Sequence, residues 1–85
     1  MEYVVTAFRS REHTVRFYEF LRSNNVPCEI VNTPKEAGVG CGLSVKVSKQ
    51  NFSAVKRAVH AAALKSFAGF FLVSVIGGKR IVRTI

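Results

Sequence analysis

The residue of this chain best suited to chemistry is Cys41, which stands between Gly40 and Gly42. Because neither neighbour has a side chain, little bulk surrounds the thiol, and the adjacent backbone amides can approach a sulfur anion closely. A structural interpretation fits the same pattern: the glycines shape a turn and Cys41 is a small buried hydrophobe, since free cysteine is among the most buried residue types. The residues alone leave both interpretations open.

The other candidate groups carry weaker signals. Cys28 shares a face with Ile30 in a predicted strand, which favours a core or half-buried thiol. His13 lies one turn into the first predicted helix, and His60 lies off the apolar face of the second, as a solvated histidine does. Two cysteines without a CxxC motif or a His/Cys cluster predict free thiols and no metal or cofactor.

Length and composition bound the class of protein. The 85 residues predict a single domain over 1–85 with a hairpin extension at 76–85, near the lower size limit for one unsupported core. A hydrophobic content of 48% with 21% charged residues is typical of a folded globular chain. No apolar run approaches the roughly 18 residues that span a bilayer. The amino terminus lacks the basic region of a signal peptide, so we expect a cytoplasmic protein.

The net charge of +8 and the isoelectric point near 10.2 suggest an anionic partner, either nucleic acid or a small anion or acidic protein. The basic residues are spread along the chain with no run of five, and dispersed charge is typical of a solvated surface. Charge alone therefore does not select nucleic acid.

Hydrophobic periodicity predicts four strands and two helices. The predicted strands are Tyr3–Phe8, 26–31, 42–47 and 70–76, and the helices run from a Ser10 cap to Ser23 and from a Ser48 cap to about Ser66. Gly77-Gly78 predicts a hairpin into a short, charged edge strand, Lys79–Ile85. This order is that of the α+β ferredoxin-like fold, an antiparallel sheet in the order four, one, three, two with both helices on one face.

That topology predicts where Cys41 lies. The end of strand one, the start of helix one and the start of strand three meet at one edge of the sheet, so we expect Cys41 beside Ser10 and the free amides of the first helical turn. Arg9, Arg11 and Lys35 belong to the same rim. Such surroundings lower a thiol pKa and stabilise a thiolate, a persulfide or a neighbouring oxyanion.

The same topology separates the two thiols. Cys28 begins a strand at the opposite edge, on the order of 13 Å or more from Cys41. A disulfide requires Cα atoms within about 7 Å. We therefore predict that the two cysteines stay unbridged within one chain.

Two motifs carry a family resemblance: Thr33-Pro34-Lys35-Glu36 and, after a glycine-bearing spacer, Cys41-Gly42-Leu43-Ser44-Val45-Lys46. Together they resemble the signature of a small bacterial family described as selenium/sulfur carrier-like proteins, and the likeness extends more weakly over Tyr3 to about Ala63. The tail from Gly77 is longer than the family's usual end, and the chain is more basic.

The resemblance implies that Cys41 carries sulfur or selenium as a persulfide or selenosulfide and passes it to an acceptor protein. Gly40 and Gly42 would permit close docking of donor and acceptor proteins, while Thr33, Pro34 and Glu36 shape the loop. A chain of this size with one such cysteine predicts a carrier more than an enzyme.

Two alternatives come from other classes. A module for single-stranded nucleic acid would stack bases on sheet-face aromatics such as Tyr3, Phe8, Phe70 and Phe71. A small homo-oligomeric regulatory domain would cover the apolar fourth strand with a second copy, and a homodimer is compatible with either function.

Overall fold

The chain forms a five-stranded antiparallel sheet and two helices in a computed structural model that describes residues 1–85. The strands are β1 (Glu2–Phe8), β2 (Glu29–Asn32), β3 (Leu43–Ser48), β4 (Phe67–Ile76) and β5 (Lys79–Thr84). The helices are α1 (Arg11–Ser23) and α2 (Phe52–Ala62), with short 3-10 turns at Lys35–Ala37 and Lys49–Asn51. Neither helix has the length and apolar character needed to cross a membrane.

The strands lie in the order β2-β3-β1-β4-β5. The predicted neighbours are present, with β1 between β3 and β4, and β5 adds a strand outside β4. The sheet therefore has five strands and differs in this respect from a simple ferredoxin-like fold, which has four. Residues at the end of β1 and the start of β3 meet across the Ala7–Ser44 pair, which brings the loop before β3 to the end of β1.

Apolar side chains fill both faces of the sheet. The face covered by the helices holds one buried cluster: Val4, Phe8, Phe17, Leu21, Val45, Val47, Val55 and Ala58. The other face holds Val5, Ala7, Phe71 and Val73. Over that second face lies the segment 33–42, hereafter the cysteine loop, which packs Ala37 and Val39 against the cluster. The loop that contains Cys41 is thus part of the core packing.

Several predicted boundaries are wrong, and two of them have a local backbone reason. The second helix ends at Ala62 rather than near Ser66, because Ala63 takes a left-handed conformation with φ of 50°. The fourth strand begins at Phe67 rather than Phe70. The second strand begins at Glu29 rather than Val26, after Pro27, which has no amide to donate to a ladder.

The prediction for the first helix is confirmed in detail. Ser10 is the N-cap, and its hydroxyl accepts the backbone N–H of His13 at 3.2 Å. Phe17 and Leu21 are buried against the sheet, as the helical spacing indicates. The helix therefore begins at the residue that the cap rule selects.

Candidate functional site

Backbone contacts with the end of β1 hold Cys41 in place. Its N–H donates to the carbonyl of Phe8 at 3.1 Å, which continues the pairing between β1 and the chain leading into β3. Gly40 has φ of 96°, and a Cβ atom there would stand 3.3 Å from the same Phe8 carbonyl oxygen. Because glycine has no Cβ, Gly40 allows the cysteine loop to pass close to the end of β1, one residue before the thiol.

The thiol of Cys41 faces the buried side chain of Thr14 on α1. Sγ lies 3.5 Å from the Thr14 hydroxyl, and the thiol can donate to the carbonyl of Leu43 at 3.6 Å. Thr14 is fully buried, whereas Cys41 is half-buried. The sulfur therefore has a fixed polar partner beneath it and access to solvent above.

These surroundings hold the pKa of Cys41 below its usual value. Partial burial acts in the opposite direction and raises the pKa. The hydrogen bond that the Thr14 hydroxyl can donate to the sulfur, the adjacent backbone at residues 41 and 43 and the positive charge of Arg11 together lower the pKa by more. The net effect favours the thiolate, which is the nucleophilic form of cysteine.

Cys28 has the opposite environment. Its thiol donates to the carbonyl of Tyr18 at 3.7 Å, and burial raises its pKa despite the nearby charge of Arg22. Both cysteines are free thiols. Of the two, Cys41 is therefore the one whose surroundings favour ionisation.

The remaining residues predicted at the rim take different positions. Arg11 begins α1, and its charge acts on Cys41. Arg9 is exposed, and its backbone N–H donates to the carbonyl of Ser66 at 2.8 Å. The Ser10 hydroxyl is occupied by its cap bond, and the carbonyl of Ser10 accepts from Thr14, so its link to Cys41 runs through Thr14.

His13 points toward the turn before β4. Its Nδ1 lies 2.6 Å from the hydroxyl of Ser66, which also accepts the backbone N–H of Ser10 at 3.3 Å. These hydrogen bonds connect the first turn of α1 to the chain that enters β4, and so hold in place the helix turn that carries Thr14.

The loop-shaping residues make specific contacts. The hydroxyls of Thr33 and Ser44 are 2.7 Å apart, and Pro34 precedes the 3-10 turn that contains Lys35 and Glu36. Glu36 pairs with Arg80 on β5 at 2.9 Å. The charge of Lys35 acts on Glu36 rather than on the thiol. Gly42 has φ of 96° with open space around it.

Three contributors to this region were not identified from the sequence: Thr14, Ser66 and Arg80. For Thr14 a signal existed, since a hydroxyl at a core-facing helix position must find a buried partner. The sequence places Ser66 at the end of a helix, and Arg80 resembles an ordinary edge-strand charge. Only the tertiary contacts identify these two.

Cys41 does not line any of the three best-defined cavities of the protein, and its thiol lies at the surface. A cavity of about 410 Å³ is lined by Tyr3, Cys28 and Lys46 among others, and Cys41 is not part of its wall. No group of three or more His, Cys, Asp or Glu side chains is arranged to hold a metal ion. The arrangement can present an ionised sulfur to a large partner.

The fold and this site define a small α+β domain with a half-buried cysteine between two glycines. Residues 2–67 match the family described as putative Se/S carrier protein-like, and the chain belongs to that family. The match includes Thr14 and the whole cysteine loop but leaves β5 and nearly all of β4 outside. No match was found among curated proteins or among solved structures.

Proposed function

We propose that this protein carries sulfur or selenium on Cys41, as a persulfide or a selenosulfide. The observation that carries the proposal is the contact between the Cys41 sulfur and the buried Thr14 hydroxyl, in surroundings that lower the thiol pKa. The family to which the chain belongs supports the nature of the cargo. The thiolate is the form of cysteine that accepts sulfane sulfur, so a lowered pKa favours loading.

Loading is an exchange between sulfur atoms. The Cys41 thiolate attacks the terminal sulfur of a donor persulfide, R–S–SH, and forms a new S–S bond. The donor's S–S bond breaks, and R–S⁻ leaves with the electron pair, while the proton stays on the transferred sulfur. Charge and oxidation state balance without an added oxidant or reductant. Selenium in place of the terminal sulfur gives the selenosulfide, and attack by an acceptor thiolate on the terminal atom reverses the step.

The donors and acceptors in this proposal are proteins. The thiol lies at an open rim, and a Cβ atom at Gly42 would meet no other atom within 4 Å, so the space beside the sulfur is free for a partner's backbone. A small metabolite would need an enclosed site to be held and turned over. The geometry therefore favours carriage between proteins over catalysis on a metabolite.

Persulfide transfer can be tested with a cysteine desulfurase and free cysteine as the sulfur source, and with a low-molecular-weight persulfide as a protein-free source. Peptide-resolved mass spectrometry should find the mass of one added sulfur atom on the Cys41 peptide. Cys28→Ser should load as the wild type does, and Cys41→Ser should not load. A folded protein with no adduct on Cys41 from either source contradicts the proposal.

Binding of single-stranded nucleic acid is the second candidate, favoured by the net charge of +8. Two of the aromatics considered for base stacking, Phe8 and Phe71, are buried, and Ala37 and Val39 of the cysteine loop pack on the second sheet face. Such binding would have to use the charged surface instead. Oligonucleotide affinity that falls steeply with salt and is unchanged in Cys41→Ser would support this candidate.

A further inference from the structure

We propose that Thr14 is a positioning residue for Cys41: its hydroxyl turns from a backbone carbonyl to the sulfur when the sulfur ionises, and so stabilises the thiolate. This inference rests on the proposed function. Three acceptors surround the single Thr14 hydroxyl: the carbonyl of Ser10 at 3.2 Å, the carbonyl of Leu43 at 3.4 Å and the Cys41 sulfur at 3.5 Å. A hydroxyl has one proton, so only one of them receives it at a time.

While Cys41 is a thiol, each of the two carbonyls can receive a hydrogen bond from a side chain. The Cys41 S–H can donate to the carbonyl of Leu43 at 3.6 Å, and the Thr14 hydroxyl donates to the carbonyl of Ser10. When the sulfur loses its proton, it can only accept hydrogen bonds and no longer donates one to the Leu43 carbonyl. The Thr14 hydroxyl is the side-chain donor that then contacts Sγ, because both carbonyls can only accept.

After the Thr14 hydroxyl turns toward the sulfur, the Ser10 carbonyl still accepts one hydrogen bond. The Ser10 carbonyl also accepts the backbone N–H of Thr14 at 3.1 Å, the first bond of the helix. A buried carbonyl that keeps one hydrogen bond avoids the cost of an unsatisfied group. The reorientation therefore requires a rotation of one hydroxyl and no movement of the backbone.

The same donor serves both directions of sulfur transfer. Sγ of Cys41 is a thiolate before loading and becomes a thiolate again when an acceptor removes the terminal sulfur. A donor that stabilises this anion increases the thiolate fraction for attack and improves Cys41 as a leaving group.

Other charged groups around the thiol have identifiable positions. Arg11 on α1 adds a favourable positive charge. His13 directs Nδ1 to Ser66, and Arg9 and Lys35 are exposed on the segments before α1 and within the cysteine loop. Thr14 differs from all of these because it is fully buried and contacts the sulfur directly.

The test compares Thr14→Val, which keeps the shape and removes the hydroxyl, with Thr14→Ser, which keeps the hydroxyl. Alkylation of Cys41 by iodoacetamide is followed from acid to alkaline pH by peptide-resolved mass spectrometry, with Cys28 as the internal reference. We expect Thr14→Val to shift the Cys41 profile to higher pH and to slow its alkylation at neutral pH about tenfold, with Cys28 unchanged. Thr14→Ser should keep the wild-type profile.

An unchanged Cys41 profile in folded Thr14→Val overturns the inference, and so does a Thr14→Ser variant that behaves like Thr14→Val. If Thr14→Val does not fold, a wild-type profile in Thr14→Ser with a shifted one in Thr14→Ala supports the inference, and equal profiles in these two overturn it. Alkylation needs no sulfur donor. A protein that shows the expected alkylation profiles but never accepts sulfur would therefore disprove the carrier function and leave the role of Thr14 supported.

Discussion

The carboxylate of Glu36 accepts two hydrogen bonds from the guanidinium of Arg80, at 2.9 and 3.3 Å, across 44 positions of the chain. This contact joins the cysteine loop to β5, which lies outside the family match. Ala37 and Val39 of the loop pack in the same region, on the cluster that Val82 of β5 also contacts. The added strand therefore supports the loop that carries Cys41.

We predict that Arg80→Gln increases amide hydrogen exchange in the cysteine loop and changes global stability little, because the pair is solvent-exposed but bidentate. Mass-spectrometric hydrogen exchange of the loop peptides measures the effect. Lys79→Gln removes a charge from the same strand without removing this pair and should leave exchange as in the wild type. Equal exchange in Arg80→Gln and Lys79→Gln would show that the ion pair does not restrain the loop.

The two cysteines should differ in their pH dependence. The folded environment lowers the pKa of Cys41 and raises that of Cys28, so Cys41 should react with iodoacetamide at lower pH and faster at neutrality. Rates resolved by peptide on the folded wild-type protein measure this, with denatured protein as the control. Equal rates in the folded state would contradict the account of the site.

Ionisation of Cys41 should also appear in the free energy of unfolding. A group whose pKa is lowered by folding adds stability as the pH rises through the lowered pKa, and this gain is lost as the pH falls through it again. We expect Cys28→Ser to gain stability toward alkaline pH relative to a variant that combines Cys28→Ser with Cys41→Ser. Urea denaturation of both variants across pH measures the difference. A constant difference would mean that the fold does not favour the thiolate.

Gly40 and Gly42 form a matched pair, since both have φ of 96° but only Gly40 approaches backbone. Alanine at either position is strained by about 1–3 kcal/mol. Gly40→Ala adds a contact at 3.3 Å with the Phe8 carbonyl oxygen, so it should lower the free energy of unfolding more than Gly42→Ala does. Chemical denaturation ranks the two variants. A larger loss in Gly42→Ala would contradict the close passage of the loop over β1.

Ser10→Ala should destabilise the protein by about 1 kcal/mol, because it removes the N-cap bond to His13. Ser10→Asn retains a capping side chain and should preserve stability. The Cys41 alkylation profile should change less in Ser10→Ala than in Thr14→Val, since the Ser10 hydroxyl bonds the helix rather than the sulfur. The reverse ranking would assign the direct role to Ser10.

We propose a homodimer that buries the hairpin of β4 and β5 at the edge of the sheet, where Ile76 and Ile81 are 66% and 51% exposed. Ile81 lies on the edge strand β5 and Ile76 ends the neighbouring strand β4, and large exposed aliphatic side chains at a sheet edge are suited to contact a second copy. Sedimentation at micromolar concentration should detect the dimer, and Ile81→Lys should shift it to monomer while Lys79→Gln does not. A wild-type monomer under these conditions removes the proposal.

The sequence by itself determined the elements whose signals are local. The Ser10 cap, the apolar face of α1 and the Gly77-Gly78 turn depend on neighbouring residues, so their patterns could be identified directly. The motif around Cys41 led to the family for the same reason. The sequence misplaces the end of α2 and the start of β4, because the left-handed Ala63 has no such signature.

Only the tertiary structure decided what surrounds the thiol. The contact of Cys41 with Thr14 joins a loop to a helix 27 positions earlier, and the pairing of Glu36 with Arg80 joins that loop to the outermost strand. Such contacts depend on strand order, register and the path of the loop over the second sheet face. Residue spacing cannot specify them, because many partners of suitable polarity are available in the sequence and the fold selects among them.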